Sequence, residues 1–468
     1  MSRSYTTGAE ALDLVLGGGI PAASTTVIAG LPGTGKTILA EQFLFANATD
    51  EAPALYLTTL SEPVEKVVRY LQGFTFFDPH RLPGVIQYRD VGQIVRDQGI
   101  AALPGAVEAL LDERGAAFLV VDSLKALHDV SSDPVAFRIA LFDLGRVLAA
   151  AGVTALLVGE YESRDLAELP EFAIADGVIE LRNQAHGVRD ERTLRVLKLR
   201  GAAPLPGEHS FRITGRGLEV FPRLRGAELG PAAPSHDRIA TGVPGLDPLL
   251  GGGLWRGSVT LVAGPSGVGK TMLGAHYLLA GAEAGDPGVL VSFQETPAHF
   301  QRILAGFGTD LDTLQQRARL RVLHVSPLEL DLVELFGQVR AVVEQERARR
   351  FVLDALGDMQ EAAIERDRFR AAIWTLMRFL GAAQVAGLFL SETPLLAGEQ
   401  AMAGITRADI SYMADNLVLL RYLRPPRQGF DRTLEVVKTR GSAHDPHAHP
   451  YRVGAGGVEV IAEPLSDG

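Results

Sequence analysis

Residues 25–45 read TTVIAGLPGTGKTILAEQFLF, and residues 259–279 read VTLVAGPSGVGKTMLGAHYLL. Each is a short apolar run, a glycine-rich turn and a second apolar run of helical length. Within the turns stand GLPGTGKT at Gly30–Thr37 and GPSGVGKT at Gly264–Thr271, two matches to G-x-x-x-x-G-K-[ST]. Such glycines let consecutive backbone N–H groups turn inward around phosphate oxygens at the start of a helix. The cradles are Gly30, Gly33, Thr34 and Gly35 in the first copy, and Gly264, Gly267, Val268 and Gly269 in the second. Lys36 and Lys270 supply a point charge for the β- and γ-phosphates of ATP, and Thr37 and Thr271 offer hydroxyls to Mg2+. A glycine-rich turn can match this pattern by accident once. Two copies in the same strand–turn–helix context favour phosphate binding.

The surrounding landmarks repeat as well. The lysines of the two GKT triplets are 234 residues apart, and so are the TG pairs that begin at Thr7 and Thr241. FLVVD ends at Asp122 and FVLD at Asp354, 232 apart, and LRVLKLRG and LEVVKTRG place Lys198 and Lys438 240 apart. Landmarks kept in order and nearly in register indicate a tandem duplication. The stretch PRLRGAELGPAAPSH is rich in Pro, Gly and Ala and reads as a linker. The expected division is a domain over 1–222, a linker over 223–237 and a second domain over 238–468.

Each half alternates apolar strands with helices. In the first half the expected strands are Thr25–Gly30, Ala54–Leu60, Val85–Val91, Phe118–Asp122, Val153–Glu160 and Gly177–Arg182. Leu194–Arg200 and His209–Thr214 have no helix between them and read as an antiparallel hairpin at the edge. Over Pro134–Ala150, Phe137, Leu141, Leu144 and Leu148 share one helical face. The fold class is therefore α/β: two mostly parallel sheets covered by helices, each with an antiparallel edge.

Composition narrows the function. The 468 residues are 47% hydrophobic and 22% charged, which is ordinary for a globular protein and excludes disordered or collagen-like chains. With no cysteine, disulfides, thiolate metal sites and a cysteine nucleophile are excluded. A net charge of −11 opposes broad binding to nucleic acid or anionic membrane. The N-terminus MSRSYTTGAEALD lacks the apolar core of a signal peptide, and no uncharged apolar run reaches the roughly 18 residues of a membrane span. A cytoplasmic protein is expected.

Asp122 and Asp354 end apolar strands inside parallel sheets. A carboxylate there is costly without a cation or donors. Beside two phosphate loops, both read as the aspartates that hold Mg2+ through water, in preference to ordinary turn caps.

At this point the chain resembles the KaiC family of tandem RecA-like ATPases over nearly its whole length. The shared features are the TG…LD…LGGG opening, both phosphate loops, ADGVIELR…RTLRVLKLRGAAPLPGEHSFRIT, and ISYMADNLVLLRY…RTLEVVKTRGSAHD…YRV. The resemblance implies two stacked hexameric rings with ATP at subunit interfaces. It also implies ATPase activity in both rings and Ser/Thr autophosphorylation in the second. In the family, the K-x-R triplet reaches the neighbouring subunit's nucleotide, which assigns Lys198, Arg200, Lys438 and Arg440 to that role. An arginine supplied in trans can neutralise charge on a transferring phosphoryl group.

The sequence departs from the family in three places. The family's paired glutamates after the second strand, one of which polarises the attacking group, are replaced in the first half by Leu60 and Ser61, with Glu62 one position late. In the second half Gln294 and Glu295 stand there. Gln294 can orient a water but cannot take its proton, so Glu295 carries what base function remains. The first ring is expected to be mainly structural and the second weakly catalytic. The family's adjacent phosphorylated Ser and Thr correspond to Ser411 and Tyr412, leaving Ser411 as the candidate phosphosite. Only Ala462–Gly468 follow the last strand, so the family's long activator-binding C-terminal tail is expected to be missing.

His444, His447 and His449 cluster in HDPHAHP. A Zn2+ or Ni2+ site is one reading, and a polar interface loop is the favoured one. The functional expectation is an ATP- and Mg2+-dependent homohexamer that binds neither nucleic acid nor membrane, with any regulatory protein partner unidentified. The rivals are a Ser autokinase acting on Ser411, a non-hydrolysing nucleotide-gated scaffold and, last, a RecA-type DNA-dependent ATPase.

Overall fold

The computed structural model describes residues 3–59, 64–131, 133–162, 164–165, 169–186, 189–223, 235–327, 330–362, 366–393, 410–427, 430–454 and 456–464. Leu60, Ser61, Glu62 and most of the proposed linker, 224–234, lie outside the described residues. The chain divides into two compact units, Met1–Arg223 and Leu224–Gly468.

The first unit is built on a nine-stranded sheet. From one edge the order is Ile86–Asp90, Ala54–Thr58, Phe118–Asp122, Thr154–Glu160, Thr25–Gly30, Gly177–His186, Arg189–Leu199, Glu208–Thr214 and Gly217–Phe221. The pairings from Ile86–Asp90 through Gly177–His186 are parallel, and the remaining three are antiparallel. The central strand is apolar on both sides because both sides are covered. Ile28 joins Leu39, Phe43 and Leu44 of the helix Lys36–Asn47. Val27 and Ala29 join Phe137, Leu141, Leu144 and Leu148 of the helix Pro134–Ala151 on the opposite face. Asp133 caps that helix through the N–H groups of Val135 and Ala136.

The second unit repeats the topology. Its order is Leu320–His324, Gly288–Ser292, Arg350–Asp354, Ala386–Glu392, Val259–Gly264, Asn416–Arg427, Phe430–Thr439, Ala448–Gly454 and Gly457–Val460. Phe369, Ile373, Leu376 and Leu380 of Arg366–Ala382 cover one face, and Leu273, Tyr277 and Leu278 of Lys270–Ala284 the other.

The antiparallel edge is larger than the expected hairpin. Its strands begin earlier, at Arg189, and a further strand, Gly217–Phe221, closes it. The second strand stops at Thr58 within the described residues. No helix among the described residues is long and apolar enough to cross a membrane.

Candidate functional site

Each phosphate loop leaves the end of the central strand and enters a helix whose first residue is the motif lysine, Lys36 or Lys270. Two glycines explain the sequence locally. A Cβ on Gly30 would lie 2.2 Å from the Leu181 carbonyl oxygen, a backbone atom that cannot move aside. Gly35 has φ +97° and a Cβ there would lie 2.8 Å from Ile213 Cδ1, so any L side chain is strained twice.

Both lysines are nearly buried and hold their own loops. Lys36 Nζ donates to the Leu31 carbonyl at 2.9 Å. Lys270 Nζ donates to those of Gly264 and Pro265, each at 2.9 Å. Burial lowers the pKa of both, opposed by Glu160 and Asp122 at the first site and by Glu392 and Asp354 at the second.

The two aspartates meet the motif threonines. Thr37 Oγ1 donates to Asp122 Oδ2 at 2.7 Å, and Thr271 Oγ1 donates to Asp354 Oδ2 at 2.7 Å. Hydroxyl and carboxylate oxygens this close, beside a loop of backbone N–H groups, are the hard donor set that Mg2+ prefers. Residues 85 and 83 positions apart in sequence are thus joined twice in the same way.

The matching family model is the KaiC ATPase, over residues 5–225 and again over 239–464. The chain belongs to the KaiC ATPase family. Among similar curated proteins, the circadian clock oscillator protein KaiC of Acaryochloris marina is 28% identical over 462 residues, covering 96% of this chain and 87% of the relative. The circadian clock protein KaiC3 of Synechocystis sp. is 29% identical over 472 residues, covering 97% and 91%. The KaiC of Thermosynechococcus vestitus is 28% identical over 468 residues, covering 96% and 88%. This KaiC-family protein is a nucleotide-binding ATPase with two tandem P-loop units of RecA-like fold.

The K-x-R residues of this KaiC-family chain lie away from the phosphate loops of their own units. Gly177 pairs with Thr26 at the start of the central strand and with Leu199 on its other side. The loop leaves the far end of that strand, at Gly30, several residues away at roughly 3.3 Å each. Lys198 Nζ donates to the Ala175 carbonyl, and Arg200 Nη1 donates to Asp176 Oδ1 at 3.4 Å. The second unit repeats this. Lys438 Nζ donates to the Ala414 carbonyl at 2.7 Å and Arg440 faces Asp415 at 3.9 Å. Burial and the adjacent arginine lower the pKa of both lysines.

Ser411 sits in a turn beside the second pair. Its carbonyl accepts from Lys438 Nζ at 3.3 Å, and the next carbonyl, of Tyr412, accepts from Arg440 Nη2 at 2.5 Å. The Tyr412 hydroxyl accepts from Arg370 at 2.9 Å. At the second phosphate site Gln294 Nε2 donates to Asp358 Oδ1 at 2.9 Å. The Glu295 carboxylate lies 3.6 Å from His299 Nδ1. Burial raises the pKa of Asp354, Thr271 and Lys270 oppose this, and Glu295 and Asp358 add to it.

Two of the histidines share one carboxylate: His447 Nδ1 lies 2.6 Å from Asp445 Oδ1 and buried His449 Nε2 3.3 Å from Asp445 Oδ2. His449 Nδ1 faces the Ile461 carbonyl, and His444 Nδ1 pairs instead with Thr439 Oγ1. Among the described residues no group of three or more His, Cys, Asp or Glu is placed to hold a metal ion.

Sequence reasoning missed Asp358, Glu160, Glu392 and the phenols behind the first site. Glu160 and Glu392 were findable. Both end the strand beside the phosphate-loop strand, opposite Gly30 and Gly264 in register.

Proposed function

We propose that this KaiC-family ATPase is a homohexamer in which each unit binds Mg·ATP at its phosphate loop and lends its K-x-R pair to the next copy's nucleotide. The observation that carries this reading is the separation of Lys198 and Arg200, and of Lys438 and Arg440, from the loops of their own units. Cations built twice at the far end of the sheet from their own site suit a nucleotide supplied by a neighbour. Gly30, Gly33, Thr34, Gly35 and Lys36 would cradle one triphosphate, and Gly264, Gly267, Val268, Gly269 and Lys270 the other. Thr37 with Asp122, and Thr271 with Asp354, would hold Mg2+, which when bound offsets charge on the transferring phosphoryl group.

The two units divide the work. Glu295 is the carboxylate best placed by sequence to take a proton from the attacking water, with Gln294, fixed by Asp358, orienting it. The first unit, where Leu60 and Ser61 replace that pair, would bind nucleotide mainly to assemble the ring. Light scattering with and without Mg·ATP tests the assembly. We expect a hexamer with Mg·ATP and a smaller species without it; a monomer at saturating Mg·ATP would overturn the reading.

A second reading has its own support. Ser411 lies beside Lys438 and Arg440, the pair proposed to meet a neighbour's phosphates, so Ser411 would be the acceptor of any autokinase activity. Binding to nucleic acid is disfavoured by the net charge of −11.

A further inference from the structure

The two phosphate sites differ in what stands behind the aspartate. In the first unit, Tyr56 donates its phenol hydrogen to Asp122 Oδ2 at 2.8 Å, the oxygen that also accepts from Thr37. Tyr56 is fully buried. Its ring lies 5.0 Å from that of Tyr88, its cross-strand partner. Tyr88 in turn donates to both oxygens of Glu41, at 3.1 and 2.9 Å. Glu41 is fully buried on the helix that begins with Lys36.

The second unit has none of these polar groups at the matching places. Tyr56 pairs with Val120, two residues before Asp122, and Leu290 pairs with Val352, two before Asp354. Tyr88 corresponds to Val322, the partner of Leu290, and Glu41, five residues after the motif lysine, corresponds to Ala275. A phenol–carboxylate network behind one site is hydrocarbon behind the other.

We propose that Tyr56 is a positioning residue for magnesium at the first site. Its phenol fixes the Asp122 carboxylate in the orientation that takes the Thr37 hydroxyl, with the Glu41–Tyr88 pair supporting it from behind. Partners that hydrogen-bond a metal-holding carboxylate set its orientation and so its affinity. A carboxylate already oriented loses less rotamer freedom when the ion arrives. At the second site Asp354 keeps the Thr271 hydrogen bond but has hydrocarbon where the phenol stands, so more of its ordering falls to the ion. The first site is therefore the tighter and slower-exchanging of the two for the metal–nucleotide complex.

This inference rests on the first unit being a Mg·nucleotide site, as proposed above. The test uses the full chain carrying Lys270→Ala, so that the first site reports. Binding of a fluorescent ATP analogue is titrated at increasing Mg2+ and without divalent ion. Tyr56→Phe should raise the Mg2+ needed for half-maximal binding about tenfold and leave metal-free affinity unchanged. Added to Asp122→Asn it should change nothing further. Parental Mg2+ dependence in Tyr56→Phe would overturn the inference. So would an equal loss with and without metal, which marks a packing role. Lys36→Ala separates the two failures. If it leaves Mg2+-dependent binding intact, the first-site reading itself falls; if it abolishes binding while Tyr56→Phe behaves as the parent, only the role of Tyr56 falls.

Discussion

Glu41 makes the first unit's stability depend on pH. Its carboxyl is fully buried and its pKa is raised from 4.5 to about 8, first by burial and then by the charge of Asp122, against the Tyr88 hydrogen bond. Below pH 4.5 the folded and unfolded chains both hold the proton. Between pH 4.5 and about 8 the unfolded chain releases it and the folded unit keeps it, so stability falls as pH rises. Each pH unit is worth about 1.4 kcal/mol, and the whole window about 5 kcal/mol. That is comparable to the net stability of a typical domain. Above pH 8 both states are ionised and the loss stays constant. Glu41→Gln removes the titration while keeping size and polarity. Denaturant unfolding at pH 5, 6, 7 and 8, without nucleotide or Mg2+, measures it. The protein's two tryptophans, Trp255 and Trp374, are both in the second unit. Tryptophan fluorescence therefore follows that unit as the control, while far-UV circular dichroism follows both. The first-unit transition of the parent should weaken steeply from pH 5 to 8, and that of Glu41→Gln should follow only the shallow drift set by the chain's net charge. Equal slopes in the two proteins would refute the reasoning.

Lys270→Ala should remove most ATP turnover, whereas Lys36→Ala should mainly weaken assembly; paired phosphate-release and light-scattering measurements check both. Glu295→Gln should lower turnover about 100-fold, the low end of what a positioned base contributes, with nucleotide affinity kept, as single-turnover and binding assays would register. After incubation with Mg·ATP, mass spectrometry should find any phosphate on Ser411 and none on Tyr412. The phenol oxygen lies roughly 6.5 Å from its Cα by ordinary bond lengths, too far for the same γ-phosphate position to serve both.

What the sequence determined by itself is what can be written within a contiguous stretch. A strand, a glycine turn and a helix follow one another in Thr25–Phe45, so the backbone alone fixes the spacing of Gly30, Lys36 and Thr37. Duplication then made the α/β class readable in both halves, because each landmark returned in order. The antiparallel edge was legible too, since no helix separates Leu194 from His209. The tertiary structure decided the rest. Asp122 meets Thr37 because the Phe118–Asp122 and Thr25–Gly30 strands end at the same edge of the sheet. The network behind Asp122 joins Glu41 of a helix to Tyr56 and Tyr88 of two strands, and only the register that pairs Tyr56 with Tyr88 brings them together. Glu41 sits on a helix whose neighbours Ala40, Gln42 and Phe43 are buried with it, and that burial turns it into a high-pKa acid. The K-x-R pairs are likewise ordinary alternating charges until the sheet sets them at the opposite end from their own phosphate loops. Strand register and helix packing place groups that are distant in the chain, and no local pattern of residue types encodes that placement.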